Sequence, residues 1–485
     1  MQLGELAGLG LTIEGHAARI DIAGLTADSR AVGRDFLFAA LPGSTTDGAR
    51  YVPDAVAKGA VAVLVGHDVK LDPVPGLAVI RADDPRRALA LIAARFHPRQ
   101  PEHLVAVTGT AGKTSVAAFA RQIFEHAGFS SASMGTLGVV SRRWSAYGSL
   151  TTPDPVALDA GLDRLAREGV THAALEASSH GLDQRRLDGI RIEAAGFTNL
   201  GRDHMDYHPT VADYLAAKMR LFADILPEGR TAAIDMDDAH SPEVIATATR
   251  RHQSLIRTGR KGSELKLLSI TPSGFRQMLA VEAFGEARDV ALPLAGAFQA
   301  SNALIAAGLA IGAGIATDTA LAALEKLEGA PGRLELAGRK ANGALVFIDY
   351  AHKPDALQSV LAALRPMTRG RLVVVFGAGG DRDPGKRPMM GRIASANADV
   401  VFVTDDNPRS EDAAEIRAAI LAEAPGAIEI GDRARAIAEA VAMLGPGDVL
   451  CVAGKGHETG QIVGGEVIPF SDHRVVAEAL AREAA

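Results

Sequence analysis

One stretch constrains the fold more than any other. Leu104–Val107 is an apolar, β-branched run, and the loop Thr108-Gly109-Thr110-Ala111-Gly112-Lys113-Thr114-Ser115 follows it. Val116, Phe119, Ala120, Ile123 and Phe124 then fall on one helical face. Strand, glycine loop and helix form the context a phosphate loop requires. Glycines let the backbone curl so that N–H groups point at phosphate oxygens, and the helix N-terminus adds partial positive charge. Lys113 can reach the β- and γ-phosphates, and a hydroxyl of Thr114 or Ser115 can ligate Mg²⁺. The strict pattern places a glycine five positions before Gly112, where this chain has Val107, so the loop is a variant. These residues alone indicate nucleotide binding without distinguishing ATP from GTP. The plainer alternative is a Gly-rich turn carrying an exposed lysine.

Around that unit, short β-branched runs alternate with Ala/Leu-rich segments of helical period. The expected fold class is therefore α/β with mostly parallel sheets. A length of 485 residues allows about three domains. His97-Pro98-Arg99-Gln100-Pro101 and Pro331-Gly332-Arg333 read as boundaries, giving segments 1–100, 101–331 and 332–485. With 51 Lys and Arg against 58 Asp and Glu, the net charge is −7. That balance argues against non-specific nucleic-acid binding, which needs cationic side chains to meet phosphates. A single cysteine, Cys451, excludes an intramolecular disulfide and suits a reducing cytosol. The Met1–Glu5 start lacks a basic leader, and no apolar run reaches the roughly 18 residues of a membrane span. A cytoplasmic, non-membrane protein is expected, and a monomer.

Further chemistry collects at strand ends. Ala173–Leu175 reads as a strand ending in Glu176, and a carboxylate there suits Mg²⁺ ligation or water positioning beside a phosphate loop. Thr152-Pro153 reads as the capped start of the helix before it. Asn199 to Asp206 packs carboxylates and His204 into one short segment, which reads equally as a metal or phosphate site or as a polar loop. Lys218 falls on a helix, where a lone lysine is ordinarily solvated. In the last segment, the strands Leu345–Ile348, Leu372–Phe376, Val400–Val403 and Val449–Val452 each end in a charged or glycine-rich loop. Ligands of open parallel sheets bind beyond that edge. Arg382, Arg409 and Lys455 stand there against Asp406 and Glu458, a mixture suited to a zwitterion. Gly377-Ala378-Gly379-Gly380 is only a weak dinucleotide signal, because Arg382 occupies the position of the last required glycine.

The motifs taken in order resemble one family over essentially the whole chain, the Mur ligases. They are Thr26–Arg30, Gly109–Ser115, Thr151-Thr152-Pro153, Glu176–Gly181, Asp203–Asp206, Gly296-Ala297-Phe298, Asp349–His352 and Asp406-Asn407-Pro408-Arg409. The family forms amide bonds with ATP in cytoplasmic peptidoglycan precursor synthesis. The chain is most similar to members that extend UDP-N-acetylmuramoyl-L-alanyl-D-glutamate by its third peptide residue. The resemblance implies an N-terminal α/β uridine-nucleotide domain, a central P-loop parallel-sheet ATPase domain and a C-terminal Rossmann-like parallel-sheet domain. It places Ala27, Ser29, Ser44, Thr45 and Thr46 on the uridine nucleotide, and Thr151, Thr152, Ser178, Gln184 and Arg186 on the muramoyl-dipeptide. Gly109, Thr110, Ala111, Gly112, Lys113, Thr114, Ser115, Asn302, Arg333 and Asp349 would bind ATP. Thr114, Glu176, His204 and an N-carboxylated Lys218 would associate with Mg²⁺. Lys113, Glu176, His204, Lys218 and Arg333 would serve catalysis. Arg382, Asp406, Asn407, Pro408, Arg409, Gly454 and Glu458 would hold the incoming amino acid.

The Asp-Asn-Pro-Arg form resembles members that use meso-diaminopimelate, and the physics agrees. Arg409 rewards a second carboxylate, whereas it would repel the far ammonium of lysine. The chain departs from the family pattern at Ala111, Ser115, Gln299 and Lys353, where Asn, Thr, Asn and Thr are common. An acyl-phosphate mechanism and closure of the domains over the substrates are expected. The rivals are the same ligase type with L-lysine, a folate polyglutamate synthetase, or a P-loop nucleotide switch.

Overall fold

The computed structural model describes residues 1–14, 17–43, 47–148 and 150–483. The chain divides into two compact units, Met1–Thr258 with Ile305–Thr317, and Gly259–Leu304 with Asp318–Ala485.

The first unit opens with strands β1 (Thr12–Ile13), β2 (Gly24–Thr26) and β3 (Phe36–Ala39), helix α1 (Val52–Ala57), strands β4 (Ala60–Gly66) and β5 (Ala78–Ala82), and helix α2 (Pro85–Phe96). The sheet order is β1-β5-β4-β3-β2, parallel except for β1. Asp84 caps α2 by accepting the Arg87 N–H, and Pro85 fills the first turn. Leu89 and Ile92 of α2 then pack on Leu37, Leu64 and Ile80.

The chain continues as β6 (His103–Thr108), α3 (Lys113–His126), β7 (Ser131–Gly135), β8 (Gly138–Ser141), β9 (Ser145–Ala146), α4 (Pro155–Arg167), β10 (His172–Glu176), α5 (Ser179–Asp183), β11 (Ala194–Phe197), α6 (Val211–Arg220), β12 (Thr231–Asp235), α7 (Ser241–Arg250) and β13 (Ser254–Gly259). Strands β13-β12-β11-β6-β10-β7 lie parallel in that order, and β8 and β9 extend the edge antiparallel. Leu104, Ala106, Leu175, Phe197 and Ile234 face one core, packed by Leu158, Leu162 and Leu165 of α4. Gly196 faces the other way, with no room for a Cβ beyond tight contact with Val107, Ile305 and Leu309. Both faces are covered, which is why these strands read as continuous apolar runs. Because they are parallel, the loops after β6, β10 and β11 share one edge.

α4 differs from the sequence expectation. Its cap is Asp154, which accepts from the N–H groups of Val156 and Ala157, and Pro155 is its first residue. Thr152 has a different task, described below.

The second unit holds an antiparallel meander, β14 (Leu265–Ser273), β15 (Arg276–Ala283) and β16 (Glu286–Leu292). Helix α8 (Ala297–Gly312) spans the division between the units, and α9 (Thr317–Leu324) follows. Then come β17 (Glu335–Arg339), β18 (Leu345–Asp349), α10 (Pro354–Leu364), β19 (Leu372–Phe376), α11 (Lys386–Asn397), β20 (Val400–Val403), α12 (Ala413–Leu421), β21 (Ile428–Glu429), α13 (Arg433–Ala442), β22 (Val449–Ala453), the hairpin β23 (Gly460–Val463) and β24 (Glu466–Pro469), and α14 (Asp472–Glu483). The sheet order is β17-β18-β22-β19-β20-β21, parallel except for β17. Side chains alternate between two cores. Phe347, Val374, Phe376, Val403 and Cys451 meet α10, α11 and α12, while Val346, Ile348, Val373, Val375 and Leu450 meet α13 and α14. Each such buried side chain contributes about 1.5–3 kcal/mol, so the sheet holds its carboxyl edge rigidly. Among the described residues, no helix is long and apolar enough to cross a membrane.

Candidate active site

In the first unit the phosphate loop turns between β6 and α3. Gly112 caps α3 with a left-handed φ of 88°, which a side chain rarely adopts. A Cβ on Gly109 would strike the Thr198 hydroxyl. Asn199, after β11, holds the loop from outside: its Oδ1 accepts the Ala111 N–H at 2.9 Å and its Nδ2 donates to the Ala111 carbonyl. Lys113 folds back, donating to the carbonyls of Gly109 and Thr110 at 2.8 and 2.9 Å.

Glu176 pairs with Val107 in register, which sets its carboxylate beside that loop. It is buried, and it accepts the Thr114 hydroxyl at 3.0 Å, the Thr136 hydroxyl at 3.2 Å and the Thr136 N–H at 2.7 Å. A Cβ on Gly135 would run into this carboxylate. The muramoyl-dipeptide residues named from the sequence are linked to the same point. Thr151 shares a hydrogen bond with Thr136. Buried Thr152 donates to the Glu176 carbonyl at 2.7 Å and accepts the Ser178 N–H and hydroxyl. Arg186 donates to the Thr152 carbonyl and to Gln184 at 2.5 and 2.7 Å.

Lys218 is not solvated. It is 1% exposed on α6, donates to the Gly109 carbonyl at 2.8 Å, and lies 4.1 Å from the centre of the Tyr214 ring. Burial pushes its ammonium well below the usual lysine range, and Lys113 adds to the shift by repulsion. His204 sits on a strained left-handed backbone, φ 55°, with its ring against His180 and Tyr214. The structure thus joins the four expected metal-associated residues in two groups, Thr114 with Glu176, and His204 with Lys218 through Tyr214. Among the described residues, no group of three or more His, Cys, Asp or Glu is placed to hold a metal. The hydroxyl–carboxylate pair does fit Mg²⁺, which keeps several waters and takes few protein oxygens beside phosphates.

Ala27 is exposed and Ser29 half-buried, on a turn fixed by Asp28 and Arg30. Lys58 donates to the Ser29 carbonyl. Ser44, Thr45 and Thr46 lie outside the described residues.

In the second unit, one group surrounds the end of β18. Asn302 donates to Gln299, Gln299 donates to the Arg333 carbonyl, and Asp349 accepts the N–H groups of Leu334 and Ala351. The Arg333 guanidinium lies 4.7 Å from the centre of the Tyr350 ring. Burial pushes the Asp349 carboxyl up to about 6, against the pull of Arg333 and those N–H donors. Gln299, where asparagine is common in the family, is therefore an integrated part of this group.

A second group gathers past β20 and β22. Asn407 donates to Glu458 at 3.0 Å, and its Oδ1 accepts from Lys455 and from the Ile462 N–H. Lys455 also donates to Glu458 at 3.0 Å. Burial works to raise the Glu458 carboxyl, but Lys455 and Asn407 outweigh it and hold it below the usual range. Arg409, with φ 53°, donates to the Gly380 carbonyl at 2.8 Å. A Cβ on Gly379 would crowd that guanidinium and one on Gly380 would strike Pro408. These glycines serve the approach of the Arg409 loop. Gly454, φ 116°, lies against Asp406. Arg382 is exposed on the loop after β19. The sequence marks Asn199 only as the start of a polar segment and does not mark Thr136 or Gln461, although Gln461 anchors the Asp406 carbonyl at 2.7 Å. No local pattern marks their roles, because their partners come from other strands.

The comparisons with known proteins agree with this layout. Residues 21–97 match the Mur ligase family catalytic domain, residues 107–310 the Mur ligase middle domain, and residues 332–456 the Mur ligase glutamate ligase domain. The chain is 58% identical to the UDP-N-acetylmuramoyl-L-alanyl-D-glutamate–2,6-diaminopimelate ligase of Bradyrhizobium diazoefficiens, with 100% of both chains covered. It is equally 58% identical to the enzyme of that name from Mesorhizobium japonicum, again over 100% of each. A solved structure of a UDP-N-acetylmuramoyl-L-alanyl-D-glutamate–2,6-diaminopimelate ligase superimposes with a TM-score of 0.74 at 32% identity, covering 100% of this chain and 99% of that one. A phosphate loop, a buried carboxylate bonded to its threonine and a separate mixed-charge edge occur here in the order of those domains, and the chain belongs to the Mur ligase family.

Proposed function

We propose that this ATP-dependent, amide-bond-forming ligase adds meso-2,6-diaminopimelate to the D-glutamate γ-carboxylate of UDP-N-acetylmuramoyl-L-alanyl-D-glutamate, as a cytoplasmic monomer. Segment 1–100 takes the uridine nucleotide through Ala27, Ser29 and Ser44–Thr46. Segment 101–331 takes ATP, and segment 332–485 takes the amino acid. The observation that carries the reading is the Asp406–Asn407–Arg409–Glu458 edge, where both signs of charge are fixed by hydrogen bonds. A carboxylate there accepts an ammonium, and Arg409 offers its fork to a carboxylate.

The reaction has two steps. A γ-carboxylate oxygen attacks the γ-phosphorus of ATP, the bond to the bridging oxygen breaks, and ADP leaves. Lys113 and Arg333 stabilise the charge that develops on the transferred phosphoryl group. The resulting acyl phosphate is an electrophile with a good leaving group, which a bare carboxylate is not. A neutral amine of diaminopimelate then attacks the acyl carbon, phosphate leaves, and the amine gives up a proton. Thr151, Thr152, Ser178, Gln184 and Arg186 orient the dipeptide beside Glu176. Water must be excluded while the acyl phosphate exists. Thr114 and Glu176 would hold Mg²⁺, which neutralises phosphate charge when bound. His204 and an N-carboxylated Lys218 would support that site from the α6 side.

The test is phosphate release with ATP, Mg²⁺ and the UDP-dipeptide, run in parallel with meso-diaminopimelate, L-lysine or no amine, with mass detection of product. A tripeptide product with diaminopimelate alone is expected. Turnover with lysine instead would overturn the reading of Arg409. Release with no amide product would indicate a nucleotide switch.

A further inference from the structure

Lys455 has 0% side-chain exposure, so it cannot be a surface cation that greets the ligand. It sits behind the mixed-charge edge and touches three of its members. Its Nζ donates to Asn407 Oδ1 and to Glu458 Oε2, both at 3.0 Å, and lies 3.9 Å from Asp406 Oδ1. Each contact fixes something. Asn407 Oδ1 accepts from both Lys455 and the Ile462 N–H, which forces the amide to turn its Nδ2 toward Glu458. Glu458 Oε2 receives Lys455 and Asn407, which leaves Oε1 for a ligand. The nearby buried cation Arg433 is committed elsewhere, to Asp472 and the Ala453 carbonyl. Arg433 acts on Asp406 and Glu458 only through space, whereas the Lys455 ammonium lies directly against both and offsets their repulsion of each other and of any carboxylate of the ligand. The buried ammonium offsets part of their negative charge, so the edge presents carboxylate oxygens to a ligand ammonium without the full repulsion of a bare pair.

From this geometry we propose that Lys455 is a positioning residue for amino-acid recognition. It sets the Asn407 amide and the remaining oxygen of Glu458, and it lowers the negative charge of the edge so that a diamino dicarboxylic acid is accepted. The inference rests on the amino-acid site proposed above. The test uses the full-length enzyme and two variants, Lys455→Ala and Lys455→Met, the second keeping side-chain volume if the first does not fold. Steady-state rates are measured with saturating ATP and UDP-dipeptide against meso-diaminopimelate. The expected result is a KM for diaminopimelate raised about tenfold to a hundredfold, with kcat and the KM for ATP nearly unchanged. Ethylammonium, but not ethanol, should lower the KM of Lys455→Ala again by replacing the missing cation in its cavity. An unchanged KM in either folded variant would overturn the proposal. So would a rise shared equally by ATP and diaminopimelate that ethylammonium does not relieve, because that pattern marks a structural lysine. Absence of diaminopimelate-dependent turnover in the unmodified enzyme would instead overturn the site reading itself, and this role with it.

Discussion

Lys113 and Lys218 donate to one carbonyl, that of Gly109. Two ammonium groups on one acceptor, one of them buried, are costly unless one loses its charge. Burial and Lys113 both drive Lys218 toward the neutral amine, which is the form that reacts with carbon dioxide. Carboxylation would replace a repelled cation with an anion that Lys113 attracts. The expected outcome is a carbamate signal in ¹³C NMR of enzyme equilibrated with ¹³C-bicarbonate, absent in Lys218→Arg and accompanied there by loss of turnover. A normal rate in carbon-dioxide-free buffer would contradict the assignment. From sequence spacing, Lys218 is an ordinary helical lysine. Only the approach of α6 to the loop after β6 shows that it is buried, and that approach depends on residues more than a hundred positions apart.

At the scale of elements, α4 carries a buried charge with an energetic consequence. Asp159 is buried, its Oδ2 has no hydrogen-bond partner among the described residues, and burial pushes its carboxyl up to about 8 against the pull of Arg191. The folded protein therefore holds a proton that the unfolded chain releases near the ordinary value of 3.8. Stability falls as pH rises between those values, by up to about 1.4 kcal/mol per unit. Chemical unfolding at about pH 5 and about pH 8 should show Asp159→Asn more stable than the parent at the higher pH, with a flatter dependence. An equal pH slope in both proteins would remove Asp159 as its source. The strands were legible because buried parallel strands read as apolar runs: Leu372–Phe376 and Val400–Val403 appear with the bounds expected. The start of α4 was misplaced because Thr152-Pro153 and Asp154-Pro155 both satisfy local capping rules, and the choice is made by Glu176 and Ser178 claiming Thr152.

For the whole molecule, the chemistry is divided between two compact units. Lys113, Glu176 and the residues proposed for the dipeptide lie in the first, while Arg333, Asp349 and the edge proposed for the amino acid lie in the second. The motifs and their order were readable, since glycine loops and charged strand ends are local features that a parallel sheet gathers at one edge. The network supporting them was not, because Thr136, Asn199 and Lys455 act on partners from other strands or loops. Activation of the γ-carboxylate as an acyl phosphate before the amine attacks is tested most directly with UDP-dipeptide labelled with ¹⁸O in the D-glutamate γ-carboxylate, ATP and meso-diaminopimelate. One ¹⁸O atom transferred into each phosphate released, together with the amide product, is expected. Amide formation with phosphate free of ¹⁸O would contradict it.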